Sequence, residues 1–201
     1  MSRPRISHFF AYIGRLRWIR RWGLMRNAID ENVATHSWEV ATIAHALAMI
    51  RNREFGGDVN VDRVATAALY HDATEVITGD MPTPVKYHSA VMREAFRDIE
   101  HKAADELLAL LPDHLREDFA PYIRESDWSR EVTELVKAAD RLSALLKCEA
   151  EIQAGNQEFA PAAQQIRRRL EQENLAEVAY FLEVFAPGYS RPLDHLLGDP
   201  Q

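Results

Sequence analysis

Between residues 129 and 154 the apolar side chains Val132, Leu135, Val136, Ala139, Leu142, Leu145 and Leu146 recur at helical spacing, and Gly155-Asn156 ends the run. Residues three and four apart share one face of a helix, so this segment carries a continuous apolar stripe that other elements must cover. One residue breaks the pattern. Asp140 lies in the same run beside Ala138, Ala139 and Leu142, and a carboxylate among apolar neighbours needs a compensating partner.

The covering elements read as helices too. Over 7–19, Phe9, Phe10, Ile13, Leu16 and Ile19 keep the helical period, and over 32–51 Val40, Ile43, Ala44, Leu47 and Ile50 do so, with Thr35 as the predicted N-cap and Glu39 near the capping-box position. A third helix, capped by Asp58 or Asn60 after the turn Phe55-Gly56-Gly57-Asp58, carries Val64, Ala65, Ala68 and Leu69. Residues 88–111 form a long pattern with Val91, Ala95, Ile99 and Leu107 as apolar positions, ended by Pro112; 113–124 is a shorter piece in which Pro121 reads as a break or a first-turn residue. Over 158–185 two further amphipathic stretches part near Asn174, one with Ile166 and Leu170, the other with Leu175, Val178, Phe181, Leu182 and Phe185. These close the bundle or face a second subunit, core being the commoner use. No run alternates at strand length, and there is no internal repeat or low-complexity linker. The expected architecture is all-α, a single-domain helical bundle over 1–201 with an irregular tail at 186–201, in which His195 is solvated.

The third helix ends in Leu69-Tyr70-His71-Asp72-Ala73-Thr74-Glu75. Glu75 follows His71 by four positions and Asp72 by three, so on one helix the three side chains converge. Burying them among Ala, Leu and Tyr is costly unless a cation compensates the charge. An isolated His-Asp pair also fits a solvated helix end. What alters the reading is the rest of the set. His36 falls in the first turn of the second helix, where the dipole favours a neutral, ligand-competent imidazole, and Asp140 adds a carboxylate from a third helix. Two imidazoles and two carboxylates suit a borderline divalent ion such as Mn, Co, Fe or Zn, with positions left for water and substrate. His45 has no such context and reads as core edge or surface. The turn Arg20-Arg21-Trp22-Gly23-Leu24-Met25-Arg26 has two readings: Trp22 caps the core beside solvated arginines, or an arginine grips a small anion. The loop Thr78-Gly79-Asp80-Met81-Pro82-Thr83-Pro84-Val85-Lys86-Tyr87, stiffened by two prolines, suits substrate contact or is a plain connector.

Composition excludes several classes. A formal net charge of -7 offers no broad basic field, which argues against a nucleic-acid polymer as partner. The single cysteine, Cys148, excludes an internal disulfide and a cysteine-rich zinc site and fits a reducing cytosol. No segment reads as a signal peptide or a membrane span, so a cytoplasmic protein without a membrane partner is expected.

The order His36, His71-Asp72, Asp140 along an all-α chain resembles the HD superfamily of metal-dependent phosphohydrolases. Closer neighbourhoods, Ser7-His8-Phe9-Phe10, Arg21 to Asn27, Glu31-Asn32-Val33, Tyr70 to Glu75 and the Gly79-Asp80-Met81-Pro82-Thr83-Pro84 loop, are similar to the bacterial HD-domain 5'-deoxynucleotidases of the YfbR-like group. The likeness runs over about 7–185. It implies hydrolysis of deoxyribonucleoside 5'-monophosphates to deoxynucleoside and phosphate by a homodimer that uses a divalent cation, Co, Mn or another transition metal. By motif position it implies that His36, His71, Asp72 and Asp140 bind the metal. Arg21 and Trp22 would contact the phosphate and sugar, Asp80, Met81, Pro82 and Thr83 would line the substrate with His36 beside them, and Glu75 with Asp72 would serve catalysis, Glu75 by assisting the water. Met81 stands where the family also allows Leu, an apolar exchange that leaves the loop geometry alone.

Two other expectations compete with this one. An HD phosphodiesterase or guanosine polyphosphate hydrolase would need a larger basic surface or a further set of metal ligands, and neither is seen in the sequence. A catalytically silent nucleotide sensor would be favoured by loss of Glu75 or of a ligand, and both kinds of residue are present.

Overall fold

The computed structural model describes residues 6–86 and 88–196. Among them the regular elements are helical: α1 (Phe9–Ile13), α2 (Val33–Glu54), α3 (Val61–Tyr70), α4 (Glu75–Thr78), α5 (Thr83–Lys86), α6 (Ala90–Ala109), α7 (Arg116–Ile123), α8 (Arg130–Gln153), α9 (Ala160–Glu173) and α10 (Ala176–Val184), joined by short 3-10 turns. The fold is an all-α single domain. None of these helices is long and apolar enough to cross a membrane.

Helix α8 is the axis of the main core. Its Leu135, Ala139, Leu142 and Leu145 are fully buried against Val40, Ala44 and Leu47 of α2 and Val64 and Ala68 of α3, while Leu170 of α9 and Phe181 of α10 close the other side. A second cluster joins Phe9, Ala73, Leu107, Leu108 and Ile123 from α1, the α3–α4 turn, α6 and α7. Ser129 caps α8 by accepting the Val132 N–H, and Gly155, at φ +89°, follows its end in the left-handed conformation that glycine adopts without steric cost.

Several local readings change. Asn32, not Thr35, caps α2: its side chain accepts the Thr35 N–H at 3.0 Å while Thr35 Oγ1 accepts the Asn32 N–H at 3.3 Å. The reciprocal box sits three residues earlier than expected, so the His36 N–H already bonds the Asn32 carbonyl at 3.0 Å, beyond the first open turn. The 7–19 segment divides into α1 and a 3-10 turn, Gly14–Trp18, with Phe10 exposed. In α6 the buried positions are Phe96, Ala103, Ala104, Leu107 and Leu108, whereas Val91, Ala95 and Ile99 face outward. Only the C-terminal part of that helix meets the second cluster; spacing alone does not say which part of a long helix is covered. Pro121 lies inside α7, where a helix of barely two turns loses only the bond to the Glu117 carbonyl. The proline loop is helical over α5, and Tyr87 lies outside the described residues. The tail contains 3-10 turns at Ala186–Ser190 and Leu193–His195, with His195 exposed; 1–5 and 197–201 lie outside the description.

The loop from 22 to 30 is anchored to the end of α8. Glu151, fully buried, accepts the N–H groups of Ala28 at 2.8 Å and Ile29 at 2.9 Å and the Asn156 side chain at 2.8 Å, and pairs with Lys147, which also reaches the Ile29 carbonyl. Burial alone would raise the Glu151 pKa; hydrogen bonds from Lys147, Ala28, Ile29 and Asn156 outweigh it and hold the group at about 2, against 4.5 ordinarily. A folded value below the unfolded one means that this stabilisation is complete above about pH 4.5 and disappears as pH falls toward 2. Glu151→Ala strands a buried ammonium and should cost about 3–5 kcal/mol in urea unfolding near neutral pH. Its deficit relative to wild type should shrink in acid. A deficit below about 1 kcal/mol would contradict this role.

Candidate active site

Residues from three helices converge on the site. His36 comes from α2, His71 and Asp72 from the turn after α3, and Asp140 from α8. The donor atoms of His36, His71 and Asp72 lie within 4.8 Å of one another. His36 Nε2 is 3.1 Å from Asp140 Oδ1 and 3.6 Å from Asp72 Oδ2, and His71 Nε2 is 3.1 Å from Asp72 Oδ2. Three of the four sequence-predicted ligands, His36, His71 and Asp72, therefore share one cluster, and Asp140 borders it through His36.

The turn that carries two of them departs from expectation. Helix α3 stops at Tyr70, and the bonds from Ala73 N–H to Tyr70 at 2.9 Å and from Glu75 N–H to Asp72 at 3.0 Å tighten the chain into i to i+3 pairing before α4 begins at Glu75. With three residues per turn, positions i and i+3 eclipse, so Glu75 follows on the same side as Asp72 although it belongs to a separate helix. The tightened turn also buries Ala73 in the second cluster.

The far side of each imidazole is fixed by a hydrogen bond. His71 Nδ1 donates to the Ala68 carbonyl at 2.7 Å, which leaves its Nε2 lone pair facing the cluster. Ser143 Oγ donates to Glu39 Oε2 at 2.6 Å, so its oxygen is left to accept His36 Nδ1–H at 3.1 Å. His36 Nε2 then also faces inward. Both Nε2 atoms are buried with no hydrogen-bond partner. Two unpartnered imidazole nitrogens beside two carboxylates fit a divalent cation by donor type and orientation.

Electrostatics agree. Burial and then Arg21 oppose positive charge on His36, yet the Asp140 and Glu31 carboxylates beside its two ring nitrogens outweigh them and lift its pKa to about 9, so positive charge is favoured here, which overrides the neutral state expected from the helix dipole. Burial alone would raise Asp72 and Asp140. Instead the imidazoles hold Asp72 well below the usual carboxylate range and bring Asp140 to about 2. The cluster favours positive charge at its centre.

Beside it stands Arg21, with Nη1 3.5 Å from Asp72 and Nε 3.2 Å from Glu31. Burial disfavours its charge, but Asp72, Asp140, Glu31 and Asp80 hold its pKa above the ordinary value. Trp22 adopts φ +57°, an uncommon conformation for a bulky residue, and its indole N–H donates to Glu31 at 2.9 Å while the ring packs on Phe159. Asp80 of the proline loop lies beside this turn: burial raises its pKa, while Arg21 and the Trp22 backbone N–H favour its charged form. Met81 and Pro82 follow half-buried, and Thr83 is exposed at the start of α5. Glu31, Glu39 and Ser143 were given no site role from the sequence, which read Glu39 only as a capping-box residue and Glu31 only within the Glu31-Asn32-Val33 neighbourhood. Glu39 and Ser143 each lie three residues after a ligand, a spacing visible only once His36 and Asp140 are known to face each other.

A histidine and aspartate set at the junction of helices, with an arginine at its rim, defines the class of HD-type metal-dependent phosphohydrolases. An HD-domain phosphohydrolase from Listeria innocua has the same fold, at a TM-score of 0.79 with 25% identity, over 90% of this chain and 88% of that one. The HD phosphohydrolase DatZ of cyanophage S-2L, bound to dA and one catalytic Zn2+ ion, shares the fold at a TM-score of 0.62 and 22% identity, over 92% of this chain and 99% of its own. Within the class, the family model for 5'-deoxynucleotidase YfbR-like proteins matches residues 8–189, and the chain belongs to that family. A 5'-deoxynucleotidase of Photorhabdus laumondii is 50% identical over 95% of this chain and 97% of its own length. The 5'-deoxynucleotidase YfbR of Shigella boydii is 49% identical over 96% and 97%.

Proposed function

We propose that this chain hydrolyses deoxyribonucleoside 5'-monophosphates to deoxynucleoside and phosphate, with a divalent cation held by His36, His71, Asp72 and Asp140. The activity follows from the family and from relatives of known name at about half identity over nearly the whole chain. The ligand assignment rests on one observation: the unpartnered, inward-facing Nε2 atoms of His36 and His71 beside the two carboxylates. A Zn2+ ion is bound by the cyanophage protein of the same fold; for this chain Co and Mn are proposed with it, because imidazole and carboxylate accept all three. Bound there, the ion would lower the pKa of water and polarise a phosphoryl oxygen.

The chain's own groups do the rest. Arg21 presents a forked cation to the equatorial phosphate oxygens, where charge accumulates as the bond to the 5'-oxygen breaks. Glu75 Oε2 is buried with no hydrogen-bond partner, placed to accept the proton of the attacking water. Trp22 and the Asp80 to Thr83 segment line the sugar, and the fixed Trp22 indole crowds a 2'-hydroxyl. His36 stands beside the phosphate. A homodimer in the cytoplasm belongs to the same reading. What supports the dimer is the exposed apolar stripe of Val91, Met92, Ala95 and Ile99 on α6.

The test is phosphate release from dAMP, AMP, a phosphodiester of deoxyadenosine and a guanosine polyphosphate by the purified protein with Co2+ or Mn2+. Release from dAMP well above AMP, with the other two inert, is expected. Turnover of the diester or the polyphosphate in preference to dAMP would replace this reading.

A further inference from the structure

We infer that Glu31 is a positioning residue that couples the two halves of the site, holding Arg21 for the phosphate and His36 for the cation with a single carboxylate. The inference rests on the assignments proposed above and adds to them a residue outside the ligand and phosphate sets. Its side chain is 11% exposed and contacts Trp22, Arg21 and His36. Oε2 accepts the Trp22 indole N–H at 2.9 Å; Oε1 lies 3.2 Å from Arg21 Nε and 3.3 Å from His36 Nδ1. With its Nε edge against Glu31, the Arg21 guanidinium turns Nη1 toward Asp72 at 3.5 Å, the edge that a phosphate would meet. On the other side the carboxylate faces the outer nitrogen of His36, where negative charge strengthens an imidazole as a ligand.

The backbone puts Glu31 in this place. An antiparallel bridge pairs Arg20 with Asn32, with Arg21 N–H bonded to the Glu31 carbonyl and Val33 N–H to the Ile19 carbonyl, each at 3.0 Å. The loop between the bridged segments is anchored independently by Glu151 and by Asn156, whose side chain donates to the Arg26 carbonyl at 2.7 Å. The carboxylate of Glu31 is therefore not needed to hold the loop, and its contacts serve the site. Burial would raise the Glu31 pKa, but His36, Arg21 and Trp22 hold it below the usual range, so the group is ionised at neutral pH.

The test uses Glu31→Gln, which keeps the shape and an acceptor for Trp22 but removes the charge. Two affinities are read: Co2+ by competition with a chromophoric chelator, and inorganic phosphate by calorimetry at saturating Co2+. Coupling predicts that Co2+ binds about 10–100-fold more weakly. Phosphate affinity should fall by about tenfold or more in the same variant, while the thermal midpoint with Co2+ stays close to wild type. Glu31→Asp, which keeps the charge but withdraws it, should lose part of both affinities, and it decides the matter if Glu31→Gln does not fold. Both affinities within about twofold of wild type, or loss of only one, would overturn the inference, as would a fall in thermal midpoint with both affinities intact. A wild-type chain that binds neither Co2+ nor phosphate would overturn the site reading itself, and this inference with it.

Discussion

Asp72→Ala should leave a folded protein whose kcat/KM for dAMP is lower by roughly three orders of magnitude or more, equivalent to about 4 kcal/mol of transition-state stabilisation. Asp72 touches both histidines of the cluster and Arg21. Its Oδ2 is 3.1 Å from His71 Nε2, 3.6 Å from His36 Nε2 and 3.5 Å from Arg21 Nη1. It is also ionised, the histidines and Arg21 holding its pKa well below the usual range against burial. Removing it takes a ligand from the cation and the counter-charge from Arg21 together, so Co2+ affinity and turnover should fall in one variant. A variant that binds Co2+ as wild type and keeps kcat/KM within tenfold would show that Asp72 is not a ligand.

Glu75→Gln should behave differently: kcat down by about 10²- to 10⁴-fold, with Co2+ affinity changed by no more than a few fold. Glu75 is absent from the proposed ligand set, and one of its oxygens is buried without a partner. Burial, then Asp72 and Asp80, push its pKa up to about 10, while Arg21 and Lys86 pull it down. A base works only when ionised, and a raised pKa makes ionisation scarcer at low pH. The wild-type kcat should therefore climb with pH along its acidic limb, positive charge at the ligand cluster moving that limb down from 10, and the limb should be missing in Glu75→Gln. An unchanged profile in the variant would take the proton-accepting role away from Glu75.

The proposed ligand set was legible where a member breaks a local rule. Asp140 interrupts an apolar helix, and His71 and Asp72 sit among Tyr and Ala; buried charge in such surroundings asks for a cation wherever the chain places it. What depended on the partner of a residue was not legible. Thr35 and Asn32 are both good caps, and the choice falls to Asn32 because the bridge at Arg20 fixes where the chain enters α2. The apolar residues of α6 have helical spacing, yet only tertiary packing decides that Phe96 is covered and Val91 is not. Glu75 has the spacing of a single helix from His71, but the chain tightens into i to i+3 pairing between Tyr70 and Glu75, which splits the helix and buries Ala73. Glu31 is ten residues from Arg21 in sequence and is brought to it by backbone pairing, which no side-chain pattern announces.

The most direct measurement is phosphate release from dAMP by chelator-treated protein as Co2+ is titrated back, with the bound metal counted. The account predicts negligible release after chelation and recovery that saturates at about one ion per chain, the capacity of one two-imidazole, two-carboxylate site. Full activity after complete metal removal, or recovery that needs two ions per chain, would contradict it.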